Sequence, residues 1–105
     1  MKCERDLSLI VTIVSRGWGD TVLCASREAG AEGGSIMIGR GCGIHDKKSI
    51  LGIMIEPEKE LVIILTPEDT MQDIVQSIRE KLDLDRPGNG IMFTQNIESA
   101  YGILD

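Results

Sequence analysis

No part of this 105-residue chain is apolar for long enough to span a bilayer, and Met1-Lys2-Cys3-Glu4-Arg5-Asp6 is too polar to open a signal peptide. Direct membrane insertion is not expected, and the cytoplasm is the expected compartment. Basic residues are few: 11 Lys and Arg stand against 17 Asp and Glu, a formal net charge of −6. A nucleic acid or an anionic membrane rewards clustered cations, so neither is expected as a partner. Cysteine is limited to Cys3, Cys24 and Cys42, an odd count without a Cys-x-x-Cys pair, which excludes a disulfide framework. His45 is the single histidine, so any metal site would need carboxylates or a second subunit to complete it. Aromatic residues make up only 3%.

What remains is aliphatic. Apolar residues make up 42% of the chain, enough for a packed core, and the length suits one domain over residues 1–105. Leu7 to Val14 is β-branched and almost continuously apolar, the pattern of a buried strand. Asp20, Val22, Leu23, Ala25 and Ala29 follow helical spacing, with Gly30 as the stop. Ser35 to Arg40 reads as a second strand. A loop from Gly41 to about Ser49 leads into the apolar segment Ile50 to Ile55. Glu56-Pro57-Glu58-Lys59-Glu60 then interrupts the apolar pattern, and Leu61 to Leu65 is the strongest strand. Thr66-Pro67-Glu68-Asp69 predicts a helix start, with threonine at the N-cap and proline at N1, and Met71, Ile74, Val75, Ile78 and Leu82 form its buried stripe. Ile91 to Thr94 reads as the last strand, before a short tail over residues 96–105.

This order is that of an α+β, ferredoxin-like βαββαβ sandwich, a four-stranded antiparallel sheet with two helices on one face. The first and third strands are apolar on both faces. The sheet face opposite the helices therefore calls for a cover that oligomerisation would supply.

Two glycine-rich segments carry the candidate chemistry: Gly33-Gly34-Ser35-Ile36-Met37-Ile38-Gly39-Arg40-Gly41-Cys42-Gly43 and Pro87-Gly88-Asn89-Gly90. Glycine lets a phosphate or base lie directly against the main chain, although two tight turns would use the same residues. The candidate nucleotide-binding residues are Gly39, Arg40, Gly41, Gly43, Gly88, Asn89 and Gly90. A Gly88→Val change is expected to block the ligand while sparing the fold. Cys42 and His45, with Asp46, offer an alternative reading as a metal-responsive binding site or a thiol-based catalytic pair, but no orienting third group accompanies them.

Arg27 to Ile36, Gly39-Arg40-Gly41-Cys42-Gly43, Leu51-Gly52-Ile53 running into Glu56 to Leu61, and Pro87 to Phe93 together resemble the PII nitrogen-regulatory signalling proteins, in their PII-like branch. The resemblance implies a regulator in nitrogen control rather than an enzyme, built as a homotrimer. Such a trimer would sense an adenine nucleotide in clefts between subunits and dock a target transporter or enzyme through a mobile loop, here about 41–55. It also places phosphate contact at Pro87-Gly88-Asn89-Gly90. Ordinary members neutralise phosphates with a lysine near that loop and arginines near the C-terminus, whereas this chain has Asn89, Ile91 and a tail without basic residues. Lys47 and Lys48 are the remaining loop cations. Among ATP, ADP, AMP and cyclic adenine nucleotides, the resemblance and the missing cations together favour the less charged ones, since charge-assisted contacts are the strong ones. No catalytic residue, resident cofactor or metal is expected. The loop lacks the family's modified tyrosine, so uridylylation is not expected either.

Overall fold

A computed structural model describes residues 6–41, 49–50, 53–54 and 58–102. Its elements are β1 (Leu7–Ser15), α1 (Gly19–Glu28), β2 (Ser35–Arg40), β3 (Ser49–Ile50), β4 (Ile53–Met54), β5 (Glu58–Pro67), α2 (Glu68–Leu82) and β6 (Ile91–Ile97). Four strands form one antiparallel sheet in the order β2-β5-β1-β6. The fold is the expected ferredoxin-like sandwich. A separate hairpin, β3 with β4, pairs Ser49 with Met54 and Ile50 with Ile53, within the segment expected as a loop.

The core forms because alternation along the two central strands meets the helical stripe. Ile10 and Val14 of β1, with Val62 and Ile64 of β5, face Val22 and Ala25 of α1 and Ile74, Ile78 and Leu82 of α2. Ser77 Oγ donates to the Ala25 carbonyl oxygen at 2.8 Å, tying the helices together.

The opposite sheet face is assembled by register. Met37, Leu61, Ile13 and Ile91 lie opposite one another in a row across all four strands, and Ser35, Ile63, Val11 and Phe93 form the next. Side chains opposite one another share a face, so this is a continuous apolar surface with neither of the described helices upon it. At its margins Met37, Leu65, Ile91 and Phe93 are exposed, Phe93 by 48%.

Three boundaries differ from the sequence reading. Helix α2 begins one residue late: Pro67 is the N-cap, with φ −57° and ψ 144° and no capping side chain. Thr66 stays in the ladder opposite Ser8, because strand pairing claims the residue that local propensity assigned to the cap. The Glu68 N–H, freed by the turn, donates to Asp6 O at 3.0 Å. Strand β5 starts at Glu58, so the charged Glu58-Lys59-Glu60 forms its end rather than an interruption. Strand β6 continues through Gln95, Asn96 and Ile97, which pair with Leu9, Ser8 and Leu7. Two residues assigned to the tail therefore belong to the sheet.

Glu60 explains how α1 starts. Trp18, at the N-cap, provides no capping side-chain hydrogen bond. The Glu60 carboxylate instead accepts from the Gly19 N–H at 2.7 Å, supplying both an acceptor and a negative charge at the positive end of the helix. A Cβ on residue 19 would lie 2.6 Å from Glu60 Oε1, so a side chain there would require the Glu60 carboxylate to shift. Glu60→Ala is expected to lower stability by about 1 kcal/mol, the usual worth of an N-cap, read from the midpoint of urea unfolding. An unchanged midpoint would mean that solvent satisfies that N–H equally well.

A glycine loop and tryptophan cleft at one end of the sheet

The two glycine segments lie at the same end of the sheet, on opposite edges. Gly39 pairs with Lys59, which pairs with Ser15, whereas Ile91, just after Gly90, pairs with Ile13. With β5 and β1 between them, three strand spacings of roughly 4.8 Å separate the edges, about 14 Å in all. One copy of the chain therefore keeps Gly39, Arg40 and Gly41 apart from Gly88, Asn89 and Gly90. Gly43, Cys42, His45, Asp46, Lys47 and Lys48 lie outside the described residues.

The glycines are not equivalent. Gly88 and Gly90 have φ of +91° and +137°, conformations that L-residues rarely adopt, whereas Gly39 and Gly41 do not have positive φ. A Cβ on Gly41 would make only ordinary contact with Lys59. The second segment is thus a turn that demands glycine, whereas the first ends at a position, Gly41, that does not. Gly88→Val acts on the backbone as well as on any ligand, and the expectation that it spares the fold is corrected here.

The loop after α2 is pre-formed. Asp83 closes the helix at φ +51°, a left-handed position that aspartate tolerates better than most residues. Leu84 N–H donates to Arg79 O at 3.0 Å, Arg86 N–H to Asp83 O at 3.1 Å and Asn89 N–H to Arg86 O at 3.4 Å. Arg79 Nη2 spans both carboxylate oxygens of Asp85, at 2.9 and 3.0 Å. The Asn89 side-chain amide donates to the carbonyl oxygens of Leu82 and Asp83 at 3.1 and 3.0 Å, covering two of the acceptors that a helix end leaves open. Asn89 therefore holds the loop to α2, and its N–H groups are already engaged.

Beside this loop is an open cleft of about 200 Å³ lined by Ser15, Trp18, Lys81, Leu82, Asp83, Gly88 and Asn89. Of these, only Gly88 and Asn89 were sequence candidates. Trp18 and Lys81 were missed, although the flanking glycines Gly17 and Gly19 place the tryptophan in a turn, where a large side chain more often stands free. The short β1–α1 turn holds the backbone of Trp18, whose main-chain N–H donates to Ser15 O at 3.2 Å. A second hollow of about 290 Å³ is lined by Gly30, Glu32, Leu65, Thr66, Pro67, Asp69 and Thr70, none of them a candidate nucleotide-binding residue.

Arg40 is exposed at the end of β2, its Cα opposite that of Glu58, and Glu58 forms an ion pair with Arg16. Among the described residues, no group of three or more His, Cys, Asp or Glu could hold a metal ion. No described helix is long and apolar enough to cross a membrane.

No family model and no curated protein matches the chain in sequence. In structure it is similar to CPII, a nitrogen regulatory PII-like protein from Thiomonas intermedia K12 bound to ADP, AMP and bicarbonate, with a TM-score of 0.71, 14% identity and coverage of 99% of this chain and 100% of that one. CutA from Synechococcus elongatus PCC7942 gives a TM-score of 0.68 at 14% identity, covering 95% of this chain and 85% of CutA. GlnK from B. subtilis in its ATP complex gives 0.66 at 13%, covering 88% and 82%. At these identities the shared property is the fold, which is that of the PII-like proteins.

Proposed function

We propose that this chain, whose fold is that of the PII-like proteins, is a signal-transduction regulator rather than an enzyme. In this reading it assembles as a homotrimer, binds an adenine nucleotide at the clefts between subunits and controls a target transporter or enzyme through the segment 41–55, in nitrogen regulation.

One arrangement carries this reading: the two glycine segments lie at one end of the sheet but on its opposite edges, on a sheet whose free face is apolar. β2 and β6 run antiparallel, since three antiparallel pairings separate them. A head-to-tail ring that sets the β2 edge of one copy beside the β6 edge of the next brings Gly39-Arg40-Gly41 to Gly88-Asn89-Gly90 of its neighbour. The same ring turns the apolar faces inward. A cleft with few cations favours AMP or ADP over ATP, and CPII, the PII-like neighbour in structure, is bound to ADP and AMP.

The test joins calorimetry with sedimentation equilibrium. Saturable binding of AMP or ADP near one site per chain is expected, in a particle of three times the 11.5 kDa chain mass. ATP is expected to bind more weakly than either. A protein that stays a single chain and gives a flat trace with every adenine nucleotide would end this reading, and zinc titration of Cys42 and His45 variants would then be the next step.

A further inference from the structure

The cleft beside Gly88 has a wall that a phosphate-binding loop does not require. Trp18 is the only tryptophan in the chain, and it is 53% exposed. Its backbone is nevertheless well held, by Ser15 O on one side and by the capping of Gly19 by Glu60 on the other. An indole left half in water on such a backbone presents a flat apolar surface to whatever covers it.

The groups around the indole describe what would fit. Lys81 and Asp83 carry opposite charges, and Ser15 and Asn89 are neutral hydrogen-bonding residues, so the formal charge of the lining cancels. The cleft also lies at the C-terminal end of α2, where the helix dipole is negative. A phosphate inside it would face that end and find no net positive charge in the lining to offset it. A neutral, planar, hydrogen-bonding heterocycle would meet neither penalty. The volume of about 200 Å³ is in keeping, being below the roughly 300 Å³ at which pockets begin to take up whole drug-sized ligands.

We propose that Trp18 is the stacking wall for the base of the bound nucleotide. The base enters between the start of α1 and the end of α2, and the phosphate lies outside the cleft, along the backbone of Gly88 to Gly90 and away from Asp83. This rests on the nucleotide reading above and adds where the base goes and which residue selects for it. Stacking is tolerant of base identity, so Trp18 sets the preference for a base-bearing ligand over a bare sugar phosphate.

The test uses the emission of Trp18, which has no competing tryptophan, during titration with AMP and with ribose 5-phosphate, alongside calorimetry of Trp18→Ala and Trp18→Phe. AMP is expected to quench the emission saturably and ribose 5-phosphate to leave it unchanged. Trp18→Ala is expected to weaken AMP binding about 10-fold or more, and Trp18→Phe less than about 3-fold, since phenylalanine keeps an aromatic face. Circular dichroism and sedimentation should show both variants folded and assembled as the parent is. AMP binding detected by calorimetry with silent emission, or undiminished affinity in a folded Trp18→Ala, overturns the stacking role alone. No AMP binding by the parent protein overturns both the stacking role and the nucleotide reading.

Discussion

Phe93→Asp is expected to convert the proposed trimer to single chains without unfolding them. Phe93 lies on the free face of β6, in the row with Val11 and Ile63, and is 48% exposed in the single chain. A carboxylate there keeps contact with water, so the isolated subunit tolerates it. In a closed trimer the same carboxylate is buried against apolar side chains. Desolvating an unpaired charge costs several kcal/mol, and threefold symmetry repeats that cost in every subunit. Sedimentation equilibrium at micromolar concentration is expected to give the mass of one chain, with the circular dichroism of the parent retained. A trimer that survives the substitution would mean that the apolar face is not the assembly surface. In the proposed assembly the glycine segments meet between subunits, so AMP binding is expected to disappear together with the trimer.

Gly90→Ala has the largest expected effect on the fold itself. A Cβ at this position would lie 2.9 Å from the Ile13 carbonyl oxygen and 3.1 Å from Val14 Cγ1, on a backbone with φ of +137°. Neither obstacle is a flexible side-chain end: one is the backbone of the central strand and the other a core residue. The strained conformation alone costs about 1–3 kcal/mol, and the overlap adds to it. A loss of at least about 2 kcal/mol corresponds to a fall in melting temperature of roughly 10 °C for a chain near 100 residues. Gly88→Ala, for which only the positive φ is counted, is expected to cost about 1 kcal/mol. Thermal unfolding of the two variants side by side checks the order, and equal effects would refute the assigned role of the Ile13 carbonyl.

The parts of this molecule legible in the sequence are those set by local periodicity. Met71, Ile74, Val75, Ile78 and Leu82 predict α2 and its buried face, and Val62 and Ile64 alternate into the same core. What was not legible depends on partners distant in the chain. Asn96 and Ile97 look like tail residues until β1 pairs with them. Glu60 reads as part of a charged interruption because the group it serves, the Gly19 N–H, is 41 residues away. The candidate site divides in the same way. Gly88 and Gly90 are punctuation visible in any sequence, whereas Trp18 and Lys81 reach the cleft only because the start of α1 and the end of α2 come to the same end of the sheet. Asn89 reads in the sequence as a ligand contact, and its further part as a tether depends on the position of two carbonyl groups.

The sheet ends in β2 on one side and β6 on the other. An unsaturated border at each side makes the subunit bifunctional in the sense of a monomer for step-growth polymerisation. A small fixed angle between successive copies closes the product after a few additions, and a different angle lets it propagate as a fibre. In the proposed trimer, ring closure is the termination step. Mutations that alter the curvature of this sheet, such as those at Gly90 beside the Ile13 carbonyl, bear on the choice between a finite ring and an open chain as well as on the stability of a single copy.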